Sequence, residues 1–219
     1  MYYTQQRIER ICQDLQKLIC QPRQPISDIN WAKGRYTSPA ETDQAEWQAF
    51  NPGDHWGEYD DHAWFRADVI IPPQFEGKKV LLDVSVDTER WFADSRQFIL
   101  FVDGTIRQGM DINHRTCVLR HAAKAGETIR VDLQAYAGLV EKPTELYLQL
   151  FVENPDVKKI YYDLFVPLQV VTEMPEGDKL RLDLLDVLNQ AVNRLDLRKP
   201  FSDAFHQSIA DTDAFLEEH

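Results

Sequence analysis

The stretch Phe98-Ile-Leu-Phe-Val102, followed directly by Asp103-Gly104, carries the clearest fold signal in this sequence of 219 residues. It is a continuous apolar run that ends in a dipeptide typical of tight β-hairpin turns. In such a turn the second residue needs a positive φ, which Gly104 adopts without a steric penalty. The stretch therefore predicts a strand that leads into a hairpin.

Further strand patterns lie on both sides of this hairpin. Residues 82–87 alternate between apolar and polar side chains, as expected for a strand with one face in the core and one wet face. The same alternation covers residues 129–135 and 146–152. A denser apolar run at 160–171, interrupted by Pro167, predicts an edge or bulged strand. Because turn signals and no helical pattern separate most of these segments, the sequence predicts an antiparallel β-sandwich.

Helical patterns lie near both ends of the chain. Residues 3–20 repeat apolar side chains at helical spacing, and prolines follow this segment. The helical period returns late in the chain, where Asp178 is the predicted N-cap of one helix and a second helix follows Pro200. The predicted organisation is mainly β, with an N-terminal helix (1–25), a β-sandwich domain (26–175) and a helical pair (176–219).

The charge balance and the cysteine usage exclude several classes of protein. Asp and Glu outnumber Lys and Arg by 36 to 24, which gives a formal net charge of -12. With no clustered basic stripe, such a chain would repel phosphate backbones, so no nucleic-acid partner is expected. Three cysteines without a Cys-x-x-Cys pair predict neither a zinc knuckle nor a redox motif. No signal peptide and no membrane span are recognised, so a cytoplasmic location is expected.

Candidate catalytic and metal-binding residues are sparse. Residues 54–62 combine carboxylates with imidazoles, but their spacing matches no EF-hand loop or helical His pair, so a solvated acidic loop is favoured over a metal site. A glycosidase needs two carboxyl groups held at a fixed distance, and the sequence singles out no pair among 36 acids. Nucleophile-elbow, phosphate-loop and dinucleotide motifs are absent. No catalytic residue and no metal ligand is therefore assigned.

Four residues remain as candidates for sugar contact. Trp56, Trp64 and Trp91 have ring faces that can stack on a sugar, and burial in a core is the competing interpretation. Glu89 lies among apolar neighbours that would raise the pKa of its carboxyl group, and its competing interpretation is a salt bridge or a turn. Exposure of two tryptophans in one groove would favour sugar contact.

Several segments, read together, resemble a known family. They are residues 47–57 and 63–72, then 101–104 with 108–114, and finally the Gly126-Glu127 turn with the strand after it. Their order and spacing are similar to the N-terminal region of α-mannosidases of glycoside hydrolase family 38, in its cytosolic and bacterial branch. The resemblance covers most of the chain, including the flanking helices.

The resemblance implies a galactose-binding-like β-sandwich that packs on a downstream catalytic domain. In that domain His and Asp side chains hold a zinc ion, and a separate Asp is the nucleophile of a retaining mechanism. None of these residues is carried over to this chain, which is expected to stop before that domain, to hold no cofactor and to be inactive alone. The implied function is that of a non-catalytic N-terminal domain of an α-mannosidase, with its own catalytic domain as partner and α-mannosides reached through that domain.

Two other functions stay open at this point. A free-standing carbohydrate-binding module would bind sugar by itself and would expose tryptophans in a groove. A scaffold or oligomerisation domain would present a large apolar patch without a groove. The sequence also leaves room for a homo-oligomer.

Overall fold

Two compact units make up the chain, of which the computed structural model describes residues 2–86, 96–139 and 142–219. The unit Pro22–Val152 is built from β-strands. The other unit joins the N-terminal segment to the chain after Val152 and is helical. Among the described helices, none is long and apolar enough to cross a membrane.

The β unit is a sandwich of two sheets whose described strand pairs are antiparallel. Its strands are β1 (Cys20–Ile26), β2 (Ile29–Lys33), β3 (Gln48–Phe50), β4 (His62–Ile70), β5 (Val80–Val86), β6 (Gln97–Val102), β7 (Thr105–Met110), β8 (Thr116–Arg120), β9 (Thr128–Tyr136) and β10 (Leu146–Glu153). A four-stranded sheet has the order β1-β10-β5-β8, and a six-stranded sheet has the order β3-β2-β4-β9-β6-β7. The predicted antiparallel β-sandwich is confirmed.

Alternation along the strands builds the core of the sandwich. In β9, Ile129, Val131 and Leu133 are fully buried, and the polar residues between them lie on the opposite face of the sheet. Strands of the four-stranded sheet face them with Leu82, Val84, Leu148 and Leu150. Each of these side chains contributes about 1.5–3 kcal/mol on burial, so the two inner faces hold the sandwich together.

The turn between β6 and β7 has the predicted form. Asp103 and Gly104 have φ values of 51° and 76°, and Val102 pairs with Thr105 across the hairpin. Positive φ at both central residues defines the turn that matches the twist of a two-residue hairpin. Because a left-handed backbone costs a residue with a side chain about 1–3 kcal/mol, glycine is favoured here. The hairpin prediction is confirmed.

The segment at 160–171 is not a strand. It lies in helix α2, Pro155–Glu173, so the interpretation as an edge or bulged strand is wrong. The helix accommodates Pro167, although the proline ring removes one backbone donor from its interior. The buried residues of α2 recur at helical spacing and are Val157, Ile160, Tyr161, Leu164, Leu168 and Val171. The compact β unit ends at Val152, whereas the predicted sandwich domain ran to residue 175.

The helical unit has a core of its own. Its helices are α1 (Tyr2–Ile19), α2, α3 (Lys179–Val192) and α4 (Asp203–Glu217). All four helices contribute buried side chains to one cluster, which includes Ile8, Leu15, Leu164, Leu185, Phe205 and Phe215. The N-cap predicted at Asp178 is confirmed, because its carboxylate accepts hydrogen bonds from the backbone N–H groups of Leu180 and Arg181.

Both sheets carry a buried acid on the face that alternation predicts to be wet. Asp83 is 3% exposed and accepts hydrogen bonds from the Arg115 guanidinium at 3.0 and 3.2 Å and from the Gln149 amide at 2.9 Å. Asp132 is 1% exposed and pairs with Arg66. The alternation is therefore confirmed, but arginine side chains take the place of water at these two carboxylates.

Candidate functional site

The first segment that carries the resemblance folds into a fixed turn. The Asn51 N–H donates to Oδ2 of Asp54 at 2.6 Å, and the Asp54 N–H donates to the Asn51 carbonyl at 2.9 Å. Gly57 follows with a φ of 85°, and a Cβ at this position would lie 3.1 Å from the Cβ of Ala137. Any larger residue would be strained there. These contacts give the segment a structural role.

The two described tryptophans proposed for sugar contact are core residues. Trp56 is 2% exposed, and Trp64 has no exposed surface. The Trp64 ring stacks on Phe101, with ring centroids 5.5 Å apart. A ring without an open face cannot stack on a sugar, so packing replaces sugar contact as the role of both residues in this structure. The other candidates, Glu89 and Trp91, lie outside the described residues.

Residues 34–47, here called the covering loop, lie over the outer face of the six-stranded sheet. Arg66 holds this loop to the sheet. Its Nε lies 2.5 Å from Oδ1 of Asp132, and its Nη2 donates to the Thr42 hydroxyl at 2.8 Å. The guanidinium also lies 4.4 Å from the centroid of the Trp47 ring. The loop is thus fixed by a buried ion pair and a cation–π contact.

Two acids of the segment at 54–62 are paired with basic side chains. Asp60 lies 2.7 Å from Arg35, and Asp61 lies 3.3 Å from Lys33. Within the part of the chain that the structure describes, no group of three His, Cys, Asp or Glu side chains is placed to hold a metal ion.

A surface cleft lies on the outer face of the six-stranded sheet, next to the covering loop. Its volume is about 580 Å³, within the range typical of small-molecule sites. The strand register builds its floor, because His62 pairs with Tyr136, and Tyr136 pairs on its other side with Gln97. Two residues away from the pair of Tyr136 and Gln97, and on the same face of the sheet, Gln134 pairs with Ile99. These five side chains form two rows across β4, β9 and β6.

Hydrogen bonds orient the polar side chains of this floor. The Gln134 amide donates to the Tyr36 carbonyl of the covering loop at 2.8 Å. The Tyr136 hydroxyl donates to Asp60 at 3.2 Å, and its ring lies 4.9 Å from the imidazole of His62. Desolvation and the hydrogen bond to Asp60 raise the pKa of Tyr136, so the hydroxyl stays protonated at neutral pH.

Asp111 contributes a carboxylate to the lining of the cleft. Its Oδ1 accepts hydrogen bonds from the backbone N–H groups of Asn113 at 2.8 Å and His114 at 2.7 Å. Desolvation alone would raise the pKa of this carboxyl group, but the hydrogen bonds from His114 and Asn113 outweigh it and hold the pKa below its usual range. The described lining contains no Lys or Arg.

Sequence reasoning misses this cleft. Its side chains share one face because β4, β9 and β6 are neighbours in the sheet, and that strand order follows from tertiary structure. The one sequence signal for this cleft was the set of polar residues that alternate with apolar ones at 129–135, a set that includes Gln134. That signal indicates an outward face and does not distinguish a binding residue from an ordinary surface residue.

A family model decides which family the chain belongs to. The model for the jelly roll domain of alpha-mannosidase matches residues 24–161. This chain belongs to that family. The matched range contains β2 to β10 and ends inside α2, so the jelly roll of the family corresponds to the two-sheet sandwich. The resemblance to the N-terminal region of an α-mannosidase is confirmed, and the chain is a glycosidase-associated domain.

Solved glycosidase structures show a weaker likeness. A protein described as a beta-galactosidase of Bacteroides fragilis is 15% identical over 59% of this chain and 23% of its own length, with a TM-score of 0.38. The beta-glucuronidase of Ruminococcus gnavus is 9% identical over 60% of this chain and 29% of its own length, with a TM-score of 0.40. The beta-glucuronidase of Bacteroides uniformis is 13% identical over 59% of this chain and 18% of its own length, with a TM-score of 0.38. This chain thus spans less than a third of each of these structures, and no curated protein matches it.

Proposed function

We propose that this chain is the non-catalytic jelly-roll domain of an α-mannosidase. Its role is to support a separate catalytic domain that hydrolyses α-mannosides. The observation that carries the proposal is the family match over residues 24–161, which contains nine of the ten described strands in full. The segments that form the helical unit flank the jelly roll in the sequence.

The pairing of the buried acids supports a structural role for the sandwich. A glycosidase needs one carboxyl group as acid and a second as nucleophile or base, placed on either side of the scissile bond. Among the described residues of the sandwich, the buried carboxylates Asp83 and Asp132 are instead paired with Arg115 and Arg66. A carboxylate committed to a guanidinium is not available to donate a proton to a leaving group.

The catalytic domain is the proposed partner, and α-mannosides are proposed to reach the protein through it. The family resemblance assigns the zinc ion to that domain, and no zinc ligand is assigned to this chain. We also propose a cytoplasmic location. The buried thiols of Cys12 and Cys117, which form no disulfide, suit a reducing compartment.

The 219-residue chain alone is expected to hydrolyse no α-mannoside. The physical reason is that the buried acids among the described residues, Asp83 and Asp132, are held in ion pairs and do not form an acid and nucleophile pair. The measurement is the release of nitrophenol from an aryl α-mannoside by the purified chain, with zinc added, against a buffer blank. Hydrolysis well above the blank that a chelator abolishes would show an active site in this chain and would refute the proposal.

A further inference from the structure

We propose that the cleft on the outer face of the six-stranded sheet binds a neutral sugar unit, and that this unit is a mannose residue of the substrate glycan. The sugar class follows from the chemistry of the cleft. The choice of mannose rests on the proposed function. The site is open in the described structure, because Gln97, Ile99 and Gly109 are all exposed.

The floor of the cleft has the size and the surface of a small-sugar site. Neighbouring strands lie about 4.8 Å apart and alternate residues about 6.6 Å apart, so two rows across three strands span roughly 10 by 7 Å. Ile99 is 37% exposed and offers apolar contact on the β6 side of this floor. Tyr136 and His62 add two neighbouring rings, which suit the C–H surface of a sugar ring.

The side chains of the cleft offer both kinds of partner that a sugar hydroxyl needs. A hydroxyl donates one hydrogen bond and accepts others, and a side-chain amide can do both through its N–H and carbonyl groups. Gln134 uses one amide hydrogen on Tyr36, which fixes the orientation of the remaining amide groups. The three described hydrogen bonds to Asp111 are all accepted by Oδ1, so Oδ2 keeps its capacity to accept from a ligand hydroxyl.

The charge of the cleft selects a neutral sugar over an acidic one. Asp111 is a carboxylate at neutral pH, and no Lys or Arg stands among the described lining residues to bind an anionic group. The carboxylate of a uronic acid placed beside Asp111 would be repelled by it, whereas an uncharged hexose meets no such repulsion.

Gly109 keeps the cleft open. It pairs with Ile99, and a Cβ built on it would contact only the carbonyl of Phe98, at 4.0 Å. Its φ lies outside the positive range that favours glycine, so a larger side chain is tolerated by the backbone. Gly109→Phe should therefore fill the cleft without unfolding the sandwich, which makes it a blocking variant.

Chemical-shift mapping on the isotope-labelled full chain tests this proposal. Methyl α-mannoside is expected to bind in the millimolar range and to shift the amide signals of Gln97, Ile99 and Tyr136, whereas glucuronate should shift none of them. Gln97→Ala should raise the Kd about threefold to tenfold through the loss of one hydrogen bond, and Gly109→Phe should abolish binding. Tyr147→Ala, in a second cleft of the sandwich, is the control and should leave the Kd unchanged.

Three results would overturn the proposal. One is the absence of shifts with methyl α-mannoside. Another is mannoside binding that persists in a Gly109→Phe variant whose well-dispersed amide signals show that it is folded, or binding whose shifts map outside the cleft. The third is equal binding of a galactoside, which would remove the assignment to mannose. Because binding is measured on this chain without catalysis, a negative result leaves the proposed α-mannosidase association standing.

Discussion

Replacing Arg66 with alanine is expected to lower the free energy of unfolding by about 3–5 kcal/mol, because it leaves a buried carboxylate without its partner. Asp132 is 1% exposed and lies 2.5 Å from the Arg66 guanidinium, which also donates to Thr42 and lies over Trp47. The variant removes all three contacts and releases the covering loop. Urea unfolding monitored by tryptophan fluorescence measures the change.

The same two strands provide a matched control for Arg66→Ala. Asp68 pairs with Arg130 two residues further along β4 and β9, on the same face, but both side chains are largely exposed. Asp68→Ala should therefore cost less than about 1 kcal/mol. Similar losses in the two variants would contradict the view that the Arg66 pair anchors the covering loop.

Replacing Phe205 with alanine is expected to destabilise the helical unit by about 3–5 kcal/mol, since it opens a cavity at a fully buried aromatic side chain. Hydrogen exchange should show faster exchange in α1 to α4, while the core strands β4 and β9 keep their protection. This selective response is expected because the helical unit has a hydrophobic cluster separate from that of the sandwich.

Leu180→Ala is the control for Phe205→Ala. Leu180 lies in α3 and is 57% exposed, so its removal should change stability by less than about 0.5 kcal/mol. If Phe205→Ala left the exchange rates of the helices unchanged, the helical core would not depend on the packing of α4.

The sandwich could be predicted from sequence because its strands alternate cleanly. Leu82, Val84 and residues 129–135 have the period of two that a sheet imposes on its side chains. The Asp103-Gly104 turn could be predicted equally well, since this dipeptide favours the positive φ angles that the turn requires. Such local signals predict strands and turns. The order of strands in a sheet depends on long-range pairing and was not predictable in the same way.

The helical unit was harder to predict because α2 has an ambiguous pattern. Its residues 160–171 are so apolar that helix and strand periods are both satisfied, and Pro167 weighed against a helix. Without α2, the apolar residues of α3 and α4 lacked a visible partner in the sequence. In the structure, Leu164 of α2 shares one buried cluster with Leu185 and Phe205.

The cleft was beyond sequence reasoning for a different reason. Aromatic content pointed to Trp56 and Trp64, which fold into the core because large apolar rings gain most from burial. The open positions are occupied by Gln97, Gln134 and Tyr136, which are ordinary surface residue types. Only the register of β4, β9 and β6 brings them together.

Isolation of the native polypeptide that carries this sequence, followed by assay on aryl glycosides, tests the central claim most directly. The measurement compares hydrolysis of an α-mannoside, a β-galactoside and a β-glucuronide by the same preparation, before and after metal chelation. We expect chelator-sensitive hydrolysis of the α-mannoside alone, and none by the 219-residue chain by itself. A native preparation that cleaves only β-glycosides, or no glycoside while an α-mannosidase standard is active, would contradict the account.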